Sequence, residues 1–165
     1  MNYEGQICRG PMERSSYMLP VAVGCSYNRC KFCTLFRHLK YRELPMEQIE
    51  AELERVRSLG GNPKHVFLGD GNAFGLATKR LLEITDLIHR YFPGCQAINM
   101  DGTITNIQAK SREELLALRK AGICHLYLGI ESGLDDVLRY MGKDHNLDQA
   151  YRQIDRIQRL SLIHI

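Results

Sequence analysis

Three cysteines lie within nine residues of one another in the segment Gly24-Cys25-Ser26-Tyr27-Asn28-Arg29-Cys30-Lys31-Phe32-Cys33, which directly follows a short apolar run. Thiolates grouped this closely are typical ligands of an iron–sulfur cluster. A four-iron cluster that only carries electrons has a thiolate on every iron, so three clustered thiolates without an evident fourth predict an iron that is open to another ligand. As at a catalytic zinc, the open position would be where chemistry takes place.

A structural zinc site is a second interpretation of these cysteines. Such a site usually takes four ligands from two paired groups. This chain has a single Cys-x-x-Cys, formed by Cys30 and Cys33, and His38 is the nearest additional candidate. The residues alone also leave open a closed, ferredoxin-like cluster and a chance grouping.

The segments around the cysteines alternate between strand and helix patterns. Buried strands are predicted at 17–23, 65–68, within 96–107 and at 126–130, and helices at 45–59, 77–91, 111–122, 134–141 and 147–159. Ser111 and Glu114 form a capping-box pattern, and Pro20 suits a strand at the edge of a sheet. The βαβαβαβα order with short connections predicts a parallel sheet with helices packed outside it.

Polar segments follow the predicted strands, at the edge where functional residues of such sheets gather. The cysteine segment follows the first strand, Gly69-Asp70-Gly71-Asn72 the second, and Glu131-Ser132 the fourth, while residues 99–103 lie in or after the third. Glycines allow the backbone to approach a ligand and an acidic residue can receive an ammonium group, although Gly-Asp-Gly is also an ordinary turn. Likewise, Ser132 could simply cap the next helix.

The cysteine segment resembles that of the radical S-adenosylmethionine (radical SAM) superfamily, in which the last two of three cysteines form Cys-x-x-Cys with an aromatic residue before the final one. Cys30, Phe32 and Cys33 match this pattern, whereas the gap of four residues between Cys25 and Cys30 is one longer than the commonest spacing. The resemblance implies a [4Fe–4S] cluster on Cys25, Cys30 and Cys33. It also implies reductive cleavage of S-adenosylmethionine to a 5′-deoxyadenosyl radical, which abstracts hydrogen from an unknown substrate.

The same resemblance assigns roles to six further residues. Gly69, Asp70 and Gly71 stand where the superfamily carries a Gly-Gly-Glu-like segment that holds the amino group of the methionine part, although the sequence departs from that pattern. Phe32 corresponds to the aromatic residue beside the adenine. Residues 129–133 resemble the segment that ends the fourth strand in the branch containing the elongator catalytic subunit, the tRNA methylthiotransferases and coproporphyrinogen dehydrogenase, which implies that Glu131 or Ser132 faces the ribose.

The resemblance extends to an uncharacterised group of iron–sulfur oxidoreductases with Tyr-Glu-Gly and Arg-x-Pro segments near the start, here Tyr3-Glu4-Gly5 and Arg9-Gly10-Pro11. The superfamily core is a partial (β/α) barrel of six units, of which about four are predicted here. We therefore expect an N-terminal fragment, with an irregular lead-in at 1–16 and a truncated core at 17–159, that does not turn over substrate by itself.

The last six residues, 160–165, abandon the amphipathic pattern of the preceding helix. They match the translation of a transposon end used to prepare sequencing libraries, so we expect a non-native tail. The alternative is a native apolar tail that enters a fifth strand.

Composition limits the partners and the compartment. A net charge of +3 from 22 basic and 19 acidic residues does not favour nucleic acid as a partner. The sequence shows no membrane span and no signal peptide, so we expect no membrane association and a cytoplasmic location. Cys8, Cys95 and Cys124 are expected to be small buried residues, and Lys143 a solvated one. The partners that the resemblance implies are a flavodoxin- or ferredoxin-type electron donor and the unknown substrate.

Overall fold

The computed structural model describes residue 4, residues 8–161 and the backbone of residues 163–164. Its strands are β1 (Tyr17–Pro20), β2 (Ala22–Val23), β3 (Arg42–Glu43), β4 (His65–Gly69), β5 (Ala97–Gly102), β6 (Ile123–Leu128) and β7 (Ile163–His164). Its α-helices are α1 (Met46–Ser58), α2 (Thr78–Tyr91), α3 (Ile104–Gln108), α4 (Arg112–Lys120), α5 (Asp135–Met141) and α6 (Leu147–Gln158).

Five strands form one parallel sheet in the order β1-β4-β5-β6-β7. Each connection from one parallel strand to the next carries at least one helix, as the spacing of parallel strands requires. The result is the predicted α/β architecture, a partial (β/α) barrel. β1 lies at an edge of this sheet, which is where Pro20 was expected because proline donates no ladder hydrogen bond.

The helix-facing side of the sheet is the hydrophobic core, and we call it the outer face. Val66, Leu68, Ile98, Met100 and Leu126 are fully buried there. They form one apolar cluster with residues of α1, α2 and α4. Alternate residues of a strand point to opposite sides, so these five side chains share one face.

The opposite side of the sheet, which we call the inner face, carries Phe67, Asn99, Asp101 and Tyr127. Phe67 is buried but stands apart from the apolar cluster of the outer face. The ring of Phe67 instead packs against that of Tyr127, with centroids 5.9 Å apart. Polar groups within this face need hydrogen-bond partners, because an unpaired buried polar group costs free energy.

The helix ends follow the sequence signals. The Ser111 side chain accepts a hydrogen bond from the Glu114 backbone, and Glu114 reaches back to the Ser111 amide, as the capping-box pattern predicts. α1 begins directly after Pro45 and ends before Gly60, whose φ of +80° stops the helix. α1 buries Ile49 and Leu53, four residues apart, against the sheet.

The boundaries of two predicted strands are wrong. The first strand does not run continuously from 17 to 23, because the chain leaves the sheet after Pro20 and Ala22–Val23 pair instead with β3. The fourth predicted strand ends at Leu128 rather than at Ile130 and starts earlier, at Ile123. The lead-in contains a 3-10 turn at Pro11–Glu13.

Ile163–His164 pair with β6 as a further parallel strand, in the position that a native tail would take. The non-native origin of residues 160–165 stays a prediction. Tyr3 and Gly5, which carry part of the resemblance at the start of the chain, lie outside the described residues. None of the helices in the described part of the chain has the length and hydropathy needed to cross a bilayer.

Candidate cofactor site

The cysteine loop, residues 24–41, connects β2 to β3 and is held in shape by Arg37. The guanidinium group donates to three backbone carbonyls of the loop, those of Cys33 at 2.8 Å, Cys30 at 3.0 Å and Lys31 at 2.6 Å. Hydrogen bonds from a charged donor are stronger than neutral ones. One exposed side chain therefore fixes the backbone around two of the three cysteines.

The loop is also anchored to the end of α5, far along the chain. The Tyr27 hydroxyl donates to the Gly142 carbonyl at 2.7 Å, and the Lys31 amide donates to the Met141 carbonyl at 2.8 Å. These bonds satisfy carbonyl groups that a helix leaves unpaired at its C-terminus. The cysteine loop consequently depends on α5 for its position as well as on β2 and β3.

The structure brings the three thiols close enough to influence one another. Burial raises the pKa of the Cys25 thiol, and the neighbouring Cys33 adds to that rise. Burial likewise raises the pKa of Cys30, which Lys143 partly offsets. The residues that the structure describes include no group of three or more histidine, cysteine or acidic side chains arranged around a single ion. A cluster differs in this respect, since each thiolate binds a different iron.

The turn after β4 touches the cysteine loop directly. The Gly24 amide donates to the Asp70 carboxylate at 3.3 Å, and the Asn72 side chain donates to the Ser26 hydroxyl at 2.8 Å. A Cβ atom on Gly71 would lie 2.3 Å from the Phe36 ring, so only glycine fits between the turn and this buried aromatic residue. The predicted Gly69-Asp70-Gly71 segment thus lies against the loop that carries the thiols.

Asp101, at the end of β5, is an acidic group that the sequence reasoning did not single out. Burial raises its pKa to about 7, and the charges of Asp70 and Glu13 contribute to the rise. The Asp101 side chain has no hydrogen bond or ion pair with any other described residue. The charge of Asp101 also helps to raise the pKa of Cys25. Asp70 and Asp101 are neighbouring carboxyl groups, and no basic side chain of the described residues is paired with either, so together they form a site suited to a positively charged ligand.

The second part of the site groups Phe32, Glu131 and Lys143. The Lys143 ammonium lies 3.5 Å from the Glu131 carboxylate and 5.9 Å from the centroid of the Phe32 ring. Its side chain is only 7% exposed, so the expectation of a solvated lysine is wrong. The reason is that α5 turns back at Gly142 and places Lys143 under the end of β6. A Cβ atom on Gly129 would lie 2.3 Å from the Glu131 carboxylate, so a larger residue there would displace the Glu131 side chain from this position.

Ser132 is near Glu131 in sequence, but its hydroxyl accepts a hydrogen bond from the Leu134 amide at 3.2 Å. This bond stabilises the local turn before α5, and such a local role for Ser132 was the alternative to contact with the ribose. Phe32 is 49% exposed, so one side of its ring is open to a planar partner. The roles assigned to Phe32, Gly69, Asp70, Gly71, Glu131 and Ser132 stay predictions.

The lead-in reaches the site from the inner face. Glu13 is 3% exposed and accepts hydrogen bonds from the Asn99 amide at 2.8 Å and from the hydroxyls of Tyr127 and Ser16. Cys8 is an exposed residue rather than a buried one. Partial burial nevertheless raises the pKa of its thiol, and the charges of Asp101, Cys33 and Asp70 add to the rise. The expectation of a small buried residue is therefore wrong for Cys8 and correct for Cys95, while Cys124 is partly exposed.

Comparisons with known proteins agree with this architecture. The sequence profile of the radical SAM superfamily matches residues 19–164. The chain is 24% identical over 143 residues to the heme chaperone HemW of Bacillus subtilis, covering 86% of this chain and 37% of HemW. It is 26% identical over 154 residues to the threonylcarbamoyladenosine tRNA methylthiotransferase MtaB of Thermotoga maritima, covering 88% of this chain and 34% of MtaB.

Solved structures show the same fold at lower sequence identity. The cobalamin-dependent S-adenosylmethionine radical enzyme OxsB, with S-adenosylmethionine bound, has a TM-score of 0.74 and 20% identity, covering 91% of this chain and 23% of OxsB. The radical S-adenosylmethionine methyltransferase TsrM from Kitasatospora setae, with cobalamin and a [4Fe–4S] cluster bound, has a TM-score of 0.66 and 16% identity, covering 89% of this chain and 29% of TsrM.

The chain spans about a third of the length of the two sequence relatives. The match to the superfamily profile includes the complete cysteine loop and every strand of the sheet except the first residues of β1. S-adenosylmethionine is bound in the OxsB structure and a [4Fe–4S] cluster in the TsrM structure, and these are the two cofactors that the sequence predicts. On these grounds the chain belongs to the radical SAM superfamily.

Proposed function

We propose that this chain is the cofactor-binding part of a radical SAM enzyme. In such an enzyme a [4Fe–4S] cluster supplies the electron that cleaves S-adenosylmethionine to a 5′-deoxyadenosyl radical, which then takes a hydrogen atom from the substrate. The observation that carries the proposal is the single loop that holds three mutually close thiols beside a pair of carboxyl groups. The abstraction of hydrogen from a substrate and the activity of the whole protein are also part of this proposal.

Cys25, Cys30 and Cys33 would hold the cluster. The donor set suits it, since the three thiols come from one loop whose backbone is clamped by Arg37. Burial raises the pKa of Cys25 and Cys30, so both thiols favour the protonated form until metal displaces the proton. Lys143 works in the opposite direction at Cys30, where its positive charge favours the thiolate.

Asp70 and Asp101 would receive the ammonium group of the methionine part. Burial raises the pKa of Asp70, although amide hydrogen bonds from Gly24 and Gly71 oppose the rise. A neighbouring cation favours the ionised form of a carboxyl group, so ligand binding would convert Asp101 from a titrating acid to a carboxylate. Asn72 adds a buried side-chain oxygen that lacks a hydrogen-bond partner among the described residues.

The adenosine part would lie against Phe32 and Glu131. The exposed face of the Phe32 ring suits the adenine, and the Glu131 carboxylate can accept from ribose hydroxyls. Lys143 holds Glu131 and Phe32 on one side of the site. Ser132 would contribute by shaping the turn after β6, with Gly69 and Gly71 allowing close backbone approach next to the methionine part.

The test is anaerobic reconstitution of the chain with iron and sulfide. We expect about four iron and four sulfide ions per chain. We also expect S-adenosylmethionine to change the electron paramagnetic resonance spectrum of the reduced protein and to be cleaved to 5′-deoxyadenosine and methionine. Stoichiometric zinc without bound sulfide would instead indicate a structural metal site. An unchanged spectrum at saturating S-adenosylmethionine would indicate a closed electron-transfer cluster.

Turnover of a substrate is a separate matter. Because the chain spans only about a third of the two relatives, we expect cleavage of S-adenosylmethionine that is not coupled to substrate. Comparison of this chain with a version carrying the downstream coding sequence would measure the coupling, as the ratio of 5′-deoxyadenosine to product.

A further inference from the structure

The connection between α5 and α6, residues 141–146, contacts two parts of the candidate cofactor site, and we call it the α5–α6 corner. On one side, its Met141 and Gly142 carbonyls accept hydrogen bonds from the cysteine loop. On the other side, its Lys143 ammonium lies 3.5 Å from the Glu131 carboxylate. Whatever fixes the corner therefore also fixes these two parts of the site relative to each other.

The corner and the cysteine loop meet backbone to backbone. Gly142 has a φ of +69°, the left-handed conformation that ends α5. A Cβ atom on Gly142 would lie 2.9 Å from the Arg29 carbonyl oxygen of the loop. Because no side chain separates the two segments, a shift of the corner moves the loop backbone directly.

The corner has its own anchor in Asp144, whose side chain is only 2% exposed. One carboxylate oxygen accepts from both the amide and the hydroxyl of Thr105 at 2.9 Å, and the other lies 2.9 Å from Nδ1 of His145. Burial acts to raise the pKa of Asp144, but the hydrogen bonds from His145 and Thr105 outweigh it and lower the pKa. Asp144 is therefore a carboxylate, which can only accept, and Nδ1 of His145 donates to it.

This anchor joins two neighbouring strand ends. Thr105 is the second residue of α3, which follows β5, whereas Asp144 follows β6 and α5. The side chain of His145 is fully buried, and its Nε2 atom has no hydrogen-bond partner among the described residues. Asp144 is thus the one side chain in the described ranges that holds both the His145 ring and the start of α3.

We propose that Asp144 is a positioning residue for the binding of S-adenosylmethionine. By tying the α5–α6 corner to Thr105, it keeps the cysteine loop and Lys143 at fixed positions relative to the end of β5, which carries Asp101. The inference rests on the proposed function, because it names what holds the parts of that site together. Asp144 acts through Gly142 and Lys143 and touches neither cofactor. Groups that contact different ends of one ligand bind it well only when their separation is fixed.

The first measurement is hydrogen exchange of the Lys31 amide in the iron-free chain, since this amide donates to the Met141 carbonyl of the corner. Thr105→Val removes the hydroxyl donor and keeps the size of the side chain. It should accelerate Lys31 exchange about five- to tenfold, because a hydrogen bond to a charged acceptor is lost. Thr105→Ser keeps the hydroxyl and loses only a methyl group, so its rate should stay within about twofold of the native one.

The matched control is Thr85→Val, the same chemical change at a fully buried threonine of α2 whose hydroxyl donates to the Leu82 carbonyl at 2.9 Å. This variant should lose stability to urea and leave Lys31 exchange within about twofold, because Thr85 does not contact the corner. Equal acceleration by Thr105→Val and Thr85→Val would overturn the proposal. Acceleration by Thr105→Ser as large as that by Thr105→Val would overturn it too.

The second measurement is the affinity of the reconstituted chain for S-adenosylmethionine, determined by equilibrium dialysis. Thr105→Val should weaken binding about five- to tenfold with iron and sulfide content unchanged, whereas Thr105→Ser and Thr85→Val should bind within about twofold of the native chain. Faster Lys31 exchange with unchanged affinity would show that Asp144 stabilises the corner without positioning the ligand, and would overturn the proposal. A native chain that assembles no cluster would refute the proposed function instead, while Lys31 exchange would still decide whether Asp144 positions the loop.

Discussion

The two faces of the parallel sheet are made by the same strands, yet one face is packed with apolar side chains and the other carries polar groups. The outer face places Val66, Leu68 and Ile98 against apolar helix residues, with every one of these side chains fully buried. The inner face places Asn99, Asp101 and Tyr127 beside a buried carboxylate from the lead-in. The outer face stabilises the fold by burying apolar side chains, whereas the inner face buries polar groups that depend on one another for hydrogen bonds.

A pair of cysteine substitutions gives the largest expected effect, and it separates the cofactor site, which lies beside the inner face, from the outer face. Cys30→Ala should abolish cluster assembly, because no spare thiolate lies next to Cys30 in the loop. Cys95→Ala, which alters a buried cysteine of the outer-face cluster, should keep the cluster and lower the free energy of unfolding by about 1 kcal/mol. Iron and sulfide content and urea unfolding of both variants are the measurements. A full cluster in Cys30→Ala would show that Cys30 is not a cluster ligand and that the cofactor site does not depend on this loop as proposed.

Glu13→Gln tests whether the inner face contributes to stability at all. The carboxylate accepts from Asn99, Tyr127 and Ser16, and an amide group would turn a donor towards at least one of them. We expect a loss of about 1–3 kcal/mol in the free energy of unfolding, with the apolar outer face intact. Glu43→Gln, at an exposed glutamate of β3, is the control and should be nearly neutral. Equal urea midpoints for the two variants would show that the lead-in does not dock on the sheet.

Asp101→Asn should give the smallest effect, and one that depends on pH. An ordinary aspartate has a pKa of about 3.9, whereas the pKa of Asp101 in the folded chain is about 7. Between these values the folded chain holds one more proton than the unfolded chain, so the free energy of unfolding falls as the pH rises through this window and stays reduced above it. The asparagine of the variant does not titrate, so the variant does not lose this stability. The free energy of unfolding of the variant minus that of the native chain should therefore be about 1 kcal/mol larger at roughly pH 8 than at roughly pH 6.

Urea unfolding of the chain purified without iron, at both pH values, measures this difference. If the stability difference between Asp101→Asn and the native chain were the same at the lower and the higher pH, Asp101 would not be the titrating group of the inner face.

The outer face could be predicted from the sequence because it follows periodicity. Apolar residues recur every three to four positions in α1 and α2, and each predicted strand contains a compact apolar run, so the longer helices and the first four strands of the sheet were predictable. The short elements β3 and α3 carry no such pattern and were missed. The three cysteines were equally visible, since their spacing is local. Capping at Ser111 also depends on neighbours three residues apart.

The inner face could not be predicted because its contacts join distant parts of the chain. Glu13 meets Tyr127 across 114 positions, and the lead-in that carries it contains no apolar pattern. Lys143 looked like a surface residue because burial through the fold of α5 leaves no local signal. The end of the first strand was misplaced because Ala22–Val23 are as apolar as β1 and only the pairing with β3 shows that they leave the sheet.

The hydrogen bond between Tyr27 and Gly142 has a consequence for synthesis on the ribosome. The cysteine loop leaves the exit tunnel early, yet its anchor on α5 is 115 residues behind it, and Glu13 likewise waits for Tyr127. Contacts of such long sequence separation form late in folding. Nearly the whole described chain must therefore be translated before the three thiols are held in place, and metal delivery to this protein is expected after translation rather than during it.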